Sequence, residues 1–184
     1  GVGRRLRPVC IWCRVHNAGI AVAAPLAVIP IDAFEQQMDV NVTGLLRVTQ
    51  AFMPLMRPGS RLINVSSMAG KVSFPGAGAY HASKHAVEAI SDTLRLELKS
   101  SGIKVSIIEP GRIATPIWQS SRNTAEGLLR RIPPEQFAPH KKLLDAVAKS
   151  VSCAERNSPP PRCRENDIFA DLTASQPHPH PATP

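Results

Sequence analysis

Tyr80-His81-Ala82-Ser83-Lys84 is the stretch from which the fold of this 184-residue chain can be worked out. A tyrosine and a lysine four residues apart on a helix lie on the same face, one turn apart. An ammonium close to a phenol favours the phenolate, because an opposite charge stabilises the ionised form. The spacing therefore predicts a tyrosine that exchanges protons near neutral pH. A helix with one buried tyrosine and one solvated lysine is the alternative, and the pair alone does not exclude it.

The segments on either side of this stretch predict a parallel sheet covered by helices. A short β-run at residues 61–65 precedes a predicted helix over residues 79–100, and a second β-run spans residues 103–108. Apolar strands that alternate with helices indicate the α/β class. Ligands of such sheets bind beyond the carboxyl ends of the strands. Ser67 follows the first strand and Pro110-Gly111 follows the second, so we expect both to share one edge with the start of the helix.

The upstream region predicts a strand, a turn, a loop and a helix. Residues 9–15 could form the strand, Asn17-Ala18-Gly19 has turn chemistry, and residues 20–33 contain two prolines, which favours a loop. Helical spacing of apolar side chains extends from Asp32, a predicted N-cap, to about residue 56. Asn41 lies inside this helix, where asparagine has a poor propensity. It either faces solvent or relays a hydrogen bond into a site.

In order and spacing, these motifs resemble those of the short-chain dehydrogenases/reductases over residues 16–118. The resemblance implies a partial Rossmann-like, doubly wound parallel sheet that lacks its first strands. It also implies hydride transfer between NAD or NADP and a small alcohol or carbonyl substrate. Tyr80 is then the acid/base, and Lys84 binds the nicotinamide ribose and lowers the tyrosine pKa. Ser67 positions the substrate oxygen, and Asn41 helps to hold a proton-relay water.

Two further segments are expected at the cofactor if the resemblance holds. Asn17, Ala18 and Gly19 correspond to the structural turn beside the cofactor, and the loop over the nicotinamide and pyrophosphate comprises Pro110, Gly111, Ile113 and Thr115. Residues 116–140 fall where the family has its variable substrate lid. The apolar side chains suited to a lid are Trp118, Leu128, Leu129 and Phe137. A plain surface helix would have the same pattern.

The chain departs from the family at its beginning. No Gly-rich turn of the type that binds a pyrophosphate precedes Asn17, and His16 stands where the family usually has asparagine. The residue that selects NAD or NADP is missing with it. We therefore expect an N-terminally truncated member, from a truncated or frame-shifted reading of a longer gene. We also expect weak or undetectable cofactor binding by this chain, which titration with NADH and NADPH by fluorescence would measure.

Composition supports three regions: an atypical segment at residues 1–16, the partial domain at 17–150, and a proline-rich, disordered tail at 151–184. The formal net charge of +8 divides into +4, from four arginines, before residue 17, +2 over residues 17–118, and +2 after that. The balanced centre lacks the clustered basic footprint of nucleic-acid binding. The pair Cys10 and Cys13 has no second Cys-x-x-Cys to complete a metal site, so we expect no metal.

Two function classes compete. The first is an oxidoreductase, cytoplasmic by default because no apolar run suggests a signal peptide or a membrane span. The second is a non-catalytic remnant that keeps its helices as an interaction or dimerisation surface. In this family the helices around Asn41 and Tyr80 commonly pack against a second subunit, so a homo-oligomer is expected. The missing Gly-rich turn favours the remnant, whereas the complete set of Asn41, Ser67, Tyr80 and Lys84 favours the enzyme.

Overall fold

The computed structural model describes residues 10–111, 113 and 115–145. Three strands and five α-helices alternate along this part of the chain, with short 3-10 turns between several of them. Their bounds are β1 Ile11–His16, α1 Ile31–Met38, α2 Gly44–Phe52, β2 Met56–Val65, α3 Gly78–Glu97, β3 Lys104–Ile108, α4 Ile117–Leu129 and α5 Pro134–Phe137.

The described strands form one parallel sheet in the order β1-β2-β3. His16 is opposite Asn64 in β2, and Val65 is opposite Ile108 in β3, so all three strands end at nearly the same level. Parallel strands need crossover connections, which α1 with α2 and then α3 supply. The predicted α/β class with a partial, doubly wound parallel sheet is confirmed.

The core consists of two separate clusters of buried apolar side chains. One apolar cluster, at the amino ends of β2 and β3, consists of Met56, Leu62, Ile103 and Val105. The other joins the loop after β1 to the helices and consists of Val22, Ala24, Ile29, Ala33, Ala79 and Leu128. Each fully buried aliphatic side chain contributes about 1.5–3 kcal/mol relative to an exposed one. The second cluster holds the first turn of α3, at Ala79, against the loop after β1, and the first cluster packs the sheet against the end of α3, at Leu94 and Leu98.

Strand β1 lies within residues 1–16, a segment that was expected to be atypical and to precede the domain. Its register with β2 makes residues 11–16 part of the sheet. Arg14, in the middle of β1, is half-buried, and its guanidinium carbon lies 4.6 Å from the centre of the Phe52 ring. A stacked guanidinium keeps its charge while its stem covers apolar surface. The predicted tail at 151–184 lies outside the described residues.

The helix predicted from Asp32 to residue 56 is present, but its start and middle differ. Pro30 is the N-cap residue, and its carbonyl accepts from the N–H groups of Ala33 and Phe34. The prediction of Asp32 as N-cap is wrong, because its carboxylate instead pairs with Arg131 at 2.7 Å. The middle, Asp39–Thr43, is a π-helical turn between α1 and α2.

The predicted second helix and third strand are confirmed within a few residues. α3 ends at Glu97, and Gly102 follows with a φ of 68°, a left-handed conformation in which glycine carries no steric cost. The Gly102 carbonyl accepts from the N–H of Gly59 at 2.8 Å. This contact fixes the entry into β3 against the start of β2.

Candidate active site

The carboxyl ends of β2 and β3 remain hydrogen-bonded beyond the strands themselves. The N–H of Ser66 donates to the Ile108 carbonyl at 2.8 Å, and the N–H of Met68 donates to the Pro110 carbonyl at 3.1 Å. These bonds hold Ser67 beside the segment that follows β3. The predicted convergence of Ser67 and Pro110 at one sheet edge is therefore seen in the structure.

Ser67 and Tyr80 form the centre of the candidate site. The Ser67 Oγ accepts from the N–H of Ala69 at 3.1 Å, which caps the 3-10 turn Met68–Gly70. The Ser67 hydroxyl also lies close enough to the Tyr80 phenol, which projects from the first turn of α3, to lower its pKa. A hydroxyl has one donor and two acceptor positions, so Ser67 can still bind one more oxygen.

The Tyr80 phenol does not have the lowered pKa that the sequence predicts. Burial raises the pKa of Tyr80, and the nearby Ser67 hydroxyl opposes this only in part. A buried phenol favours its neutral form, because the phenolate loses hydration. The net direction is therefore opposite to the predicted lowering, although the Lys84 ammonium lies over the ring, 5.7 Å from its centre.

Lys84 is almost completely buried, with 7% of its surface exposed. Its Nζ donates to the Val65 carbonyl, the last of β2, at 2.9 Å. Burial lowers the pKa of Lys84 to about 8, and the negative charge of Glu88 raises it in part. An ammonium has three donors, so two remain for hydroxyl groups of a ligand at this edge. The prediction of a solvated lysine is excluded.

Asn41 is buried and makes three hydrogen bonds within the protein. Its Oδ1 accepts from the Ile20 N–H at 2.9 Å, and its Nδ2 donates to the Ile20 carbonyl and to the Ser83 Oγ, both at 3.0 Å. Ser83 in turn donates to the Tyr80 carbonyl at 2.8 Å. Both donor hydrogens of the Asn41 amide are used, so its side chain joins the loop after β1 to α3. No donor remains on it for the predicted relay water.

Two polar residues that support this network were missed by the sequence analysis. Gln37 is completely buried; its Oε1 accepts from Val22 at 2.7 Å and its Nε2 donates to Ile20 at 2.8 Å. Ser83 lies inside the quoted stretch but was given no role. Gln37 is four residues before Asn41, so both lie on one helical face, and that spacing was the signal available.

The predicted cofactor residues occupy the same edge but are more exposed. Asn17 and Ala18 follow β1 and are exposed, and Gly19 lies against Asn41, where an added Cβ would be 3.4 Å from Oδ1. Gly111, Ile113 and Thr115 are exposed and Pro110 is half-buried. Most of these residues are therefore accessible to solvent at this edge. A glycine-rich cradle for a pyrophosphate does not occur in the described ranges.

The segment predicted as a lid contains α4 and α5. Leu128 is buried against Val22 and Ile29 in the core, and Arg131 pairs with Asp32 of α1. The end of α4 is therefore packed on the domain. A separate groove of about 230 Å³ is lined by Pro25, Leu26, Ala27, Phe74, Pro75, Gly76, Gly78, His140 and Leu143. This groove is mostly apolar.

Comparisons with known proteins agree with the arrangement of the edge. The family model described as short chain dehydrogenase matches residues 5–126. The chain belongs to this family. The uncharacterized oxidoreductase YbbO of Escherichia coli is 46% identical over 117 residues, which cover 62% of this chain and 44% of YbbO. A 3-amino-tetrahydro-pyrrolizinone reductase of Xenorhabdus hominickii is 42% identical over 120 residues, 65% of this chain and 42% of the reductase.

A solved structure has the same fold as the matched part of this short-chain dehydrogenase. A gluconate 5-dehydrogenase from Burkholderia cenocepacia, in complex with NADP and tartrate, superposes with a TM-score of 0.57 and 30% identity. The match covers 59% of this chain and 43% of the dehydrogenase. The chain thus spans about half the length of the curated relatives it matches.

Two negative findings hold for the part of the chain that the structure describes. No three histidine, cysteine or acidic side chains there are grouped closely enough to hold a metal ion. Within the same ranges, none of the helices has both the length and the apolar character needed to span a membrane.

Proposed function

We propose that this chain carries the nicotinamide side of a short-chain dehydrogenase site, in which a secondary alcohol and its carbonyl are interconverted by hydride transfer. The observation that carries the proposal is that the Ser67 hydroxyl lies close enough to the Tyr80 phenol to lower its pKa, with the Lys84 ammonium over the tyrosine ring, at the carboxyl edge of the sheet. Phenol, hydroxyl and ammonium at one ligand-binding edge provide an acid/base, an oxygen-positioning group and a cation.

The residues present fit a nicotinamide ribose. Within the described ranges the Lys84 ammonium uses one of its three donors, on the Val65 carbonyl, and Asn17 and Gly111 of the same edge are exposed. When bound, NAD or NADP would supply the hydride acceptor or donor. The resemblance places the residue that selects between them near a Gly-rich turn that does not precede Asn17 here, so both cofactors are proposed.

The chain's own residues carry the proton chemistry. Ser67 donates or accepts one hydrogen bond at the substrate oxygen and so fixes it beside Tyr80. In oxidation, the Tyr80 phenolate takes the hydroxyl proton while hydride leaves the carbon; in reduction, the neutral phenol gives its proton to the new alkoxide and becomes the phenolate. The Lys84 ammonium stabilises the transient phenolate. Asn41, through Ser83, keeps the first turns of α3 in place and does not itself exchange protons.

The substrate class proposed here is a small alcohol or carbonyl compound. The apolar groove between Leu26, Phe74 and Leu143 supports an apolar part of that substrate, because it is formed partly by the segment between Ser67 and Tyr80. A cytoplasmic location and assembly into a homo-oligomer stay predictions from the sequence and the family resemblance.

A chimera tests the proposal, since the chain spans only about half of its relatives. Residues 17–111 replace the matching segment of the Xenorhabdus hominickii reductase, and absorbance of the reduced nicotinamide follows turnover of a panel of secondary alcohols and ketones with either cofactor. We expect turnover that Tyr80→Phe lowers by about 100-fold or more, because the ring stays and only the proton-carrying hydroxyl is lost.

A control separates lost chemistry from lost binding in the same chimera. Fluorescence titration with NADPH should give the same dissociation constant for the chimera and for its Tyr80→Phe variant within about a factor of three. A chimera that binds reduced cofactor yet turns over no member of the panel would instead support the non-catalytic remnant.

A further inference from the structure

Glu88 is a buried carboxylate that the proposed mechanism leaves without a role. It lies on α3 one turn after Lys84, on the same helical face, and only 6% of its surface is exposed. Its Oε2 forms an ion pair with the Nζ of Lys71 at 2.9 Å, but neither carboxylate oxygen has a hydrogen-bond partner of good geometry within the described ranges. A buried carboxylate with an unsatisfied oxygen is costly, so its presence needs a physical reason.

The packing around Glu88 holds its carboxylate in one position. Gly70 lies against it, where a Cβ would come within 2.9 Å of both the Glu88 Cγ and the Ser66 Oγ. Only a residue without a side chain leaves this space for the acid. The Ser66 hydroxyl, which also has no hydrogen-bond partner among the described residues, lies at the same point.

Few other charged or titratable groups face this carboxylate and Lys84. Lys71, which follows the 3-10 turn after β2, bridges Glu88 to Glu109, the first residue after β3, with a Lys71–Glu109 distance of 3.4 Å. On α3 itself, His81 and His85 are turned toward backbone carbonyls. Glu88 is the one charged side chain in the described part that acts on the pKa of Lys84.

We propose that Glu88 is a positioning residue that keeps Lys84 in its ammonium form, with Lys71 limiting how much of the carboxylate charge reaches it. The use of the ammonium in catalysis rests on the proposed function, whereas the effect of Glu88 on the protonation of Lys84 needs neither cofactor nor substrate. Burial already lowers the pKa of Lys84 to about 8, close to neutral pH. Without a nearby anion the amine would lose its proton near neutral pH and could no longer stabilise a phenolate.

The test is a direct titration of Lys84 in the full chain, which needs neither cofactor nor substrate. The protein is labelled with 13C at the lysine ε-carbons, and the Lys84 signal, assigned by its absence in Lys84→Met, is followed by NMR from pH 6 to 11. We expect a midpoint near pH 8 in the unaltered chain, and a fall of about one pH unit or more in Glu88→Gln, which keeps shape and removes charge.

Two further variants separate charge from packing. Glu88→Asp keeps the charge and loses a methylene, so its Lys84 midpoint should stay closer to that of the unaltered chain than the Glu88→Gln midpoint does. Lys71→Gln frees the carboxylate from its exposed partner and should raise the Lys84 midpoint. This second variant keeps the test valid if Glu88→Gln fails to fold, because Lys71 has a half-exposed side chain.

The proposal is overturned if Glu88→Gln leaves the midpoint in place, if Glu88→Asp lowers it as far as Glu88→Gln, or if Lys71→Gln lowers it or leaves it unchanged. Any of these outcomes would make Glu88 a packing residue. A chimera without turnover in the assay above would refute the proposed function and leave the titration result standing, so the two failures can be told apart.

Discussion

Replacing Lys84 by methionine should stabilise the folded chain at pH 7. The pKa of this lysine falls from its ordinary 10.5 to about 8, mainly because burial penalises the ammonium. Each pKa unit corresponds to about 1.4 kcal/mol, so the charged side chain costs about 3 kcal/mol in the folded state. Methionine has a similar length and no charge, but it loses the hydrogen bond to the Val65 carbonyl, worth about 1 kcal/mol. The net gain is about 2 kcal/mol.

The sign of the pH dependence follows from proton linkage. Between pH 8 and 10.5 the unfolded chain keeps the Lys84 proton that the folded chain has lost, so the stability of the unaltered chain rises with pH. Methionine has no proton to lose, so the advantage of Lys84→Met shrinks to near zero by about pH 9.5. The raised pKa of Tyr80 acts in the opposite direction above pH 10, and measurements should stop below that value.

Urea unfolding followed by circular dichroism measures this effect at pH 7 and pH 9.5. Lys99→Met, at an exposed lysine just beyond the C-terminal end of α3, is the matched control and should change the unfolding free energy by less than about 0.5 kcal/mol at both values. A Lys84→Met chain that is less stable than the unaltered one at pH 7, or whose advantage is the same at both pH values, would refute the reasoning.

Two further substitutions test the packing around the site by the same urea assay. Asn41→Ala removes three hydrogen bonds and leaves a backbone N–H unpaired, so we expect the free energy of unfolding to fall by about 3 kcal/mol. The control Asn123→Ala removes one exposed hydrogen bond and should lower it by less than about 0.5 kcal/mol. A loss below about 1 kcal/mol at Asn41 would contradict the proposed network. Gly70→Ala places a Cβ 2.9 Å from two buried atoms and should lower the free energy of unfolding by about 1–3 kcal/mol. In the control Gly127→Ala, the added Cβ meets nothing within 4 Å, so the free energy of unfolding should rise by up to about 1 kcal/mol. Equal effects at the two glycines would contradict this account of the packing.

The sequence predicts which elements meet at the site because strand order and helix face follow from periodicity. Apolar side chains such as Leu94 and Leu98 recur at helical spacing, and both pack on the cluster at the amino ends of the strands. Ser67 could be placed beyond a strand in the same way. These features depend on residues close together in the sequence, so they can be predicted without knowledge of the tertiary structure.

The π-helical turn and the pKa values could not be predicted, because both depend on distant contacts. The turn at Asp39–Thr43 contains Asn41, whose amide binds the backbone of Ile20 across the domain. The helical spacing of Tyr80 and Lys84 shows that they share a face but does not show that the face is buried. Burial then reverses the expected direction for the tyrosine. Glu88, at the same spacing from Lys84, could have been found from the pattern.

The pKa of Tyr80 is raised and that of Lys84 is lowered, and these changes explain why the negative charge of Glu88 matters for the proposed proton transfer. Burial favours the neutral form of both groups, so the closed edge alone would hold a neutral phenol beside a neutral amine. With a pKa of about 8, roughly nine in ten Lys84 side chains still carry a proton at pH 7. A further fall of one unit would reduce that fraction to about one half. The charge of Glu88 therefore matters most in the pH range where Tyr80 has to exchange its proton.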